Sequence, residues 1–282
     1  MGQGDTRSLR RLRDARVAAT GGGLVALFAL GALFAPLLAP YDPVEFGDIS
    51  STGYLAPSHQ HWLGTDQYGR DVLSRLLYGA RVSLAIGFVA VGLGVGFGTG
   101  IGLVAGYRGG RVDGVLMRFV DMTFAFPRLF LVLLLVGLLR PSIWIVIVVL
   151  GATGWMSTAR LVRAEVLGIR ERDYVRAAIA LGLPVGRIVW RHVLPNVLAP
   201  VFVSATLLIG QTILTESMLS YLGLGVQTPT PSWGTMIREG QAVFPGVWWL
   251  STFPGLAITV TVVGYNLLGD GLRDAFDPRL RA

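Results

Sequence analysis

Apolar residues dominate this chain in long blocks, and polar residues gather between them. The first block runs from about Val17 to Ala39. Others lie at roughly 82–106, 117–139, 141–159, 197–225 and 248–270. Each is near or above the ~20 residues needed to cross the hydrocarbon of a bilayer. A span isolated in lipid must satisfy its own backbone hydrogen bonds, so each block is predicted to be helical. The pattern predicts an all-α polytopic membrane protein with about six transmembrane helices. Only the Arg140-Pro141 corner separates the third block from the fourth. Pro127 lacks an N–H and is predicted to kink the third. The first block follows a basic segment, as in a signal peptide, but it exceeds the usual ~7–15 apolar residues and is read as an uncleaved span.

The polar segments divide the chain into an N-tail (1–16), a first span (17–39), a long mixed loop (40–81), a five-helix core (82–271) and a C-tail (272–282). The core contains a polar loop at 160–196. Orientation follows from the basic residues near the span ends. With the N-terminus in the cytoplasm, the N-tail, the loop near 107–118, the loop 160–196 and the C-tail hold about 18 of the 24 basic residues. The opposite face then receives about six, among them Arg70, Arg75, Arg81 and Arg238. Both termini are thus expected in the cytoplasm, with loop 40–81 on the other side of a plasma (inner) membrane.

Composition agrees: 52% of residues are hydrophobic and only 15% charged, against about 25% charged in soluble domains. Cysteine is absent, which excludes disulfides, thiolate metal sites and a cysteine nucleophile. All basic residues are Arg; without Lys there is neither a phosphate-binding P-loop nor Schiff-base chemistry. The net charge of +7 lies along one membrane face, which argues against a nucleic-acid partner. The second block reads GLGVGFGTGIGLVAG, with Gly92, Gly96 and Gly100 at four-residue spacing and Gly98, Gly102 and Gly106 likewise. No βαβ context surrounds these glycines, so they are read as sites of tight helix packing.

The loop 160–196 is too polar to span and too patterned to be disordered. Tyr174, Val175, Ala178, Ile179 and Leu181 form a short helical stripe. Gly182 is a C-terminal stop, and Pro184 suits the start of a second short helix carrying Val185, Ile188, Val189 and Val193. Pro195 and Asn196 are expected to end it. Two readings stand: an amphipathic pair whose Arg meet anionic lipid headgroups, or a knob that docks a cytoplasmic protein. Small Ala177 and Ala178 and the Gly182 turn favour close approach.

This stretch, YVRAAIALGLPVGRIVWRHVLPN at 174–196, resembles the EAA loop of ABC-importer permeases. The matching positions are Ala177, Ala178, Gly182, Leu194 and Pro195; Arg176 replaces the motif's Glu and His192 its Ile. Both departures are similar to the C-type subunit of the dipeptide, oligopeptide and nickel permease subfamily. HQHWLGTDQYGRDVLSRLLYGARVSL at 59–84 and ESMLSYLGLGVQTPTPSWG at 216–234 resemble that subfamily too, so the likeness covers nearly the whole chain.

The resemblance implies a type I ABC-importer transmembrane domain that does no covalent chemistry and binds no cofactor itself. It implies a homologous second permease, two cytoplasmic ATP-binding subunits that use ATP and Mg, and an extracytoplasmic substrate-binding protein. The loop between spans 4 and 5 would be the coupling helix. Its expected ATPase-coupling residues are Tyr174, Val175, Arg176, Ala177, Ala178, Leu181, Gly182, His192, Leu194 and Pro195. Direct contact is expected from Tyr174, Val175, Ala177, Ala178 and Leu181. Shifting a two-state gate from 1:99 to 99:1 takes ~5.5 kcal/mol, within the reach of nucleotide binding.

Other polar residues are weaker candidates. Glu216, with Gln211, lies in the fifth span; it is either a pore residue sensing a peptide ammonium group or a hydrogen-bond partner near the helix end. Asp66, Arg70 and Asp71 read as a structural polar network in the outer loop, with a substrate site as the alternative. His59 and His61 lack a third ligand, so no metal site is assigned. Asp121 is expected to pair with Arg118 one turn away, and Trp233, Trp248 and Trp249 read as interfacial belt residues.

Di- or oligopeptide import is the leading function, with nickel or another small solute as the alternative cargo. A secondary transporter would need paired polar residues at the midplane. A membrane-embedded hydrolase would need a nucleophile–base pair. Neither pattern is visible.

Overall fold

The computed structural model describes residues 3–139 and 141–276, with side chains from Arg16 onward. Helix α1 (Gln3–Leu33) is followed by two short helices, α2 (Ala35–Leu38) and α3 (Ile49–Thr52). Then come α4 (Val72–Arg108), α5 (Gly110–Phe124), α6 (Arg128–Leu138), α7 (Ile143–Ala152), α8 (Trp155–Arg170), α9 (Asp173–Ala180) and α10 (Val185–Ile188). A π-helical turn over Val189–Val193 joins α10 to α11 (Leu194–Tyr221), and α12 (Trp233–Gln241) and α13 (Trp249–Phe276) follow. Among the described residues there is no strand, only one isolated bridge between Thr65 and Asp71.

Five helical stretches are long and apolar enough to cross a membrane, and the bent pair α5–α6 makes a sixth when taken as one span. The bend between α5 and α6 is 78°, and Pro127 stands at it as the residue before α6. The spans reach well past their apolar blocks. The first helix starts at Gln3, within the expected N-tail, and ends at Leu33, and Pro36 stands in the first turn of α2. The second starts at Val72, ten residues before its apolar block, because the Asp71 carboxylate caps it by accepting from the Ser74 N–H at 2.8 Å. At 37 residues, α4 is about 55 Å long and overshoots the hydrocarbon. The fourth span runs on to Arg170 and the sixth to Phe276; 277–282, the rest of the expected C-tail, lie outside the described residues.

Glycine packing is one-sided. Gly94, Gly98, Gly102 and Gly106 face α8, and a Cβ on Gly98 would lie 2.4 Å from the Trp155 carbonyl oxygen. Gly92, Gly96 and Gly100, expected to pack likewise, meet nothing within 4 Å. The two rows fall on different sides of one helix, and only one is covered.

The tryptophans also depart from expectation. Trp233 is fully buried: its Nε1–H donates to the Leu76 carbonyl at 3.1 Å, and its ring meets Phe28 edge-on. Trp249 is buried too and donates to Thr65 O at 3.2 Å. Of the three expected belt residues, only Trp248 stays exposed. Helix α12 explains this. It folds back on the bundle behind a capping box of Ser232 and Thr235 and carries Trp233 into the core.

Candidate functional site

The loop 160–196 folds as a helical hairpin. Helix α9 ends in a Schellman motif around Gly182, whose φ is +72°. The Gly182 N–H donates to Ile179 O at 2.9 Å and the Leu183 N–H to Ala178 O at 3.2 Å. The chain then turns at Pro184 into α10. The second arm does not stop at Pro195 and Asn196 as expected. The π-turn places the Leu194 N–H on Val189 O, five residues back. That wider turn accommodates the Pro195 ring, which would clash in an ordinary α-turn, and α11 continues as the span. One arm of the hairpin is therefore a rigid extension of a transmembrane helix.

The stripe expected to touch a partner splits into two faces. Val175 and Ala178 are buried with Val162, Val166 and Ile169 of α8, Ile188 of α10, Val193 of the π-turn, and Val197 and Val201 of α11. They seat the hairpin on its own spans, inside the chain rather than on the surface expected to meet a partner. The reason is the helical period: Val175 and Ala178 sit three apart on one side of α9. Tyr174, Arg176, Ala177, Leu181 and Gly182 are exposed, Leu181 at 80%. Ile179, Val185 and Trp190 are exposed large apolar residues beside them. Trp190, at 73%, was not singled out from the sequence, although a tryptophan in an Arg-rich loop is itself a signal. The Tyr174 ring lies 6.2 Å from that of His192; Leu194 is half-buried and Pro195 exposed.

The hairpin is tied to the neighbouring spans by ions. Arg163 of α8 makes two parallel bonds to Asp113 of α5, at 2.5 and 2.6 Å. Arg170 donates to Tyr107 O at 2.9 Å, joining the ends of α8 and α4. Asp121 pairs with Arg160 of α8 at 2.5 Å rather than with Arg118. The α5–α8 packing brings the longer-range cation closer than helical spacing alone suggests.

At the opposite end, Asp66, Arg70, Arg75 and Glu239 form a buried cluster. Asp66 accepts from the Arg70 Nε at 2.7 Å and from Arg75, and Arg75 also reaches Glu239 of α12 at 2.6 Å. The guanidinium of Arg70 stacks on Tyr68, 4.8 Å from the ring centre. Asp71 is occupied separately, capping α4 and contacting the His61 Nδ1 at 3.0 Å. Two acids balance two bases in the cluster, and removing one partner would strand a buried charge.

Glu216 and Gln211 do not share a site. Glu216 is fully buried and accepts from Ser83 of α4 at 2.9 Å and from Ser220 at 2.7 Å. Gln211 is exposed on another face of α11.

Sequence reasoning passed over Arg128. This residue opens α6 at the 78° bend, beside the middle of α4 and α11. Its Nη2 makes one long bond to Leu150 O at 3.4 Å, and its Nε is buried without a partner. No ion pair to it exists among the described residues.

Residues 98–282 match the model of the binding-protein-dependent transport system inner membrane component. Residues 6–57 match the N-terminal TM domain of oligopeptide transport permease C. The dipeptide transport system permease protein of Alkalihalophilus pseudofirmus is 40% identical, over 98% of this chain and 90% of its own length. The oligopeptide transport system permease protein of Bacillus subtilis is 40% identical, over 97% and 89%. The glutathione transport system permease protein of an Escherichia coli strain is 41% identical, over 96% and 89%. A spanning bundle with a protruding hairpin and this breadth of similarity lead to one conclusion: the chain belongs to the binding-protein-dependent transport system inner membrane component family, as a multi-pass permease subunit.

Proposed function

We propose that this chain is one permease of an ATP-driven importer for di- or oligopeptides, lining half of the translocation pathway beside a homologous second permease. Two cytoplasmic ATPases and an extracytoplasmic binding protein complete the complex, and the ATPases use ATP and Mg. The observation that carries the reading is the hairpin: an exposed rim of Tyr174, Ala177, Leu181 and Gly182 on a base welded to α8 and α11 through Val175, Ala178 and Val193. A rim of this kind accepts a docking partner, and its base passes the displacement to the spans. Nucleotide binding would bias the two states of the gate. The excess of basic residues on the hairpin side favours a cytoplasmic hairpin and cytoplasmic termini.

Relatives named for dipeptides, oligopeptides and glutathione support peptide cargo. The test is to purify the chain with its second permease, both ATPases and the binding protein, reconstitute them in vesicles, and measure ATP-dependent uptake of labelled short peptides. Uptake that needs ATP and the binding protein supports the reading. Uptake of nickel or another solute in place of peptide overturns the cargo, and transport without ATPases overturns the class.

A further inference from the structure

We infer that Gln211 and Asn266 form one polar station inside the membrane, where their carboxamides hydrogen-bond the peptide groups of the cargo as it passes. The inference rests on the peptide-import reading above. Gln211 lies in α11 and Asn266 in α13, each ten residues from a helix end, Tyr221 and Phe276. That distance is about 15 Å along the helix. A Cβ on Gly210 would meet the Tyr265 Cβ at 3.5 Å, and one on Gly269 would meet the Leu207 side chain at 2.8 Å. Numbers rise along α11 as they fall along α13, so the two helices run antiparallel. Gln211 follows Gly210 and Asn266 follows Tyr265, and each step of one residue is a rotation of about 100°. In antiparallel neighbours, that rotation away from the shared contact leads to the same side. The two carboxamides therefore belong to one surface, and both residues are exposed. Among the described residues neither carboxamide makes a hydrogen bond. The hydroxyls one turn away are already used: Thr215 donates to Gln211 O at 2.8 Å and Thr259 to Gly255 O at 2.9 Å.

A carboxamide that faces lipid has nothing to bond and is costly to hold there. A second permease fits this surface poorly, because it carries the bulky Leu214, Met218, Leu256 and Val263. The open row Gly92, Gly96 and Gly100 of α4 gives another helix a closer seat. A peptide in transit fits better. Each carboxamide offers two donors and an acceptor, which match the C=O and N–H of a peptide group. The surface is also free of charge at this depth. Glu216, the one charged residue of α11, turns away to Ser83 of α4, and α13 has no charged residue before Asp270. Neutral main chain is the part that all short peptides share, so such a station tolerates any side chain.

The experiment uses the whole complex in vesicles with its binding protein, comparing wild type, Gln211→Met and Asn266→Leu. Both substitutions keep about the same volume and remove the hydrogen bonds. Two cargoes are followed: tri-alanine, and its analogue in which both peptide N–H groups are replaced by ester oxygens. If the wild type does not import the ester, the peptide with both groups N-methylated takes its place. The same binding protein serves every variant, so its preferences cancel. In each variant tri-alanine uptake is expected to fall about threefold to tenfold, the scale of one neutral hydrogen bond. Uptake of the ester stays within about twofold, so the amide-to-ester ratio falls. Equal slowing of both cargoes, or slowing of neither, overturns the proposal. Loss of the second permease on purification with an unchanged ratio also overturns it and assigns the surface to a subunit contact. If one variant does not assemble, the other decides; if neither assembles, the subunit contact stands and the proposal fails. Failure of the wild type to import any peptide overturns the import reading itself and shows in a different sample.

Discussion

Arg163 and Asp113 face each other fork to fork, Nε to Oδ1 at 2.5 Å and Nη2 to Oδ2 at 2.6 Å. The pair clamps α8, which leads into the hairpin, to α5, which leads to the bend at Pro127. A push on the hairpin therefore reaches the broken third span through a rigid ionic link. Arg163 is about one-third exposed, so solvent discounts the pair to roughly 1 kcal/mol. Asp113→Ala should leave the complex assembled but lower the peptide transported per ATP hydrolysed. An unchanged ratio would remove this link from the transmission path.

Exposed and buried positions of the hairpin should fail differently. Leu181→Asp alters only the exposed tip. The permease should insert and pair normally while losing its ATPases on purification. Val175→Asp places an unpaired carboxylate among Val162, Val166 and Val193, at a cost of several kcal/mol. It should reduce the amount of folded permease. Quantifying ATPase subunits per folded permease separates the two effects.

Gly182 has open space around its Cβ position, so strain alone opposes substitution. Gly182→Ala should cost about 1–2 kcal/mol in the left-handed region, and Gly182→Asn less. Limited proteolysis of the hairpin should rank the three variants in that order of protection: Gly, Asn, Ala.

Along α4, Gly98→Ala should destabilise the bundle by about 1–3 kcal/mol, because the added methyl meets the Trp155 carbonyl at 2.4 Å. Gly96→Ala, whose Cβ position has no neighbour within 4 Å in this chain, should not. Thermal unfolding in detergent of the isolated permease measures both.

Much of this architecture was legible because membrane spans announce themselves by length and composition. The Pro127 break and the Gly182 stop followed from missing donors and positive φ. Other features depend on which side of a helix is covered, and periodicity marks a face without saying what meets it. That is why Val175 and Ala178, expected at a partner, turned inward, and why Gly96 was grouped with Gly98. Trp233 was placed at the interface because α12, a helix of nine residues, is too short and polar to appear as an apolar block. Arg128 escaped notice because sorting Arg by loops has no place for one inside a span. Asp66 and Arg70 were grouped from sequence, but Glu239, 169 residues from Arg70, could join them only through the fold.

The central claim is that the exposed rim of the hairpin grips an ATPase. The chain contains no cysteine, so Leu181→Cys introduces the one thiol of this subunit, and the wild-type complex serves as the control for thiols elsewhere. Treating the assembled complex with a short thiol-reactive photocrosslinker and identifying the attached chain by mass tests the claim directly. The account predicts a product with a cytoplasmic ATP-binding subunit whose yield changes when ATP is added. A thiol labelled by impermeant reagent from the outside, or one that crosslinks only to lipid, would contradict it.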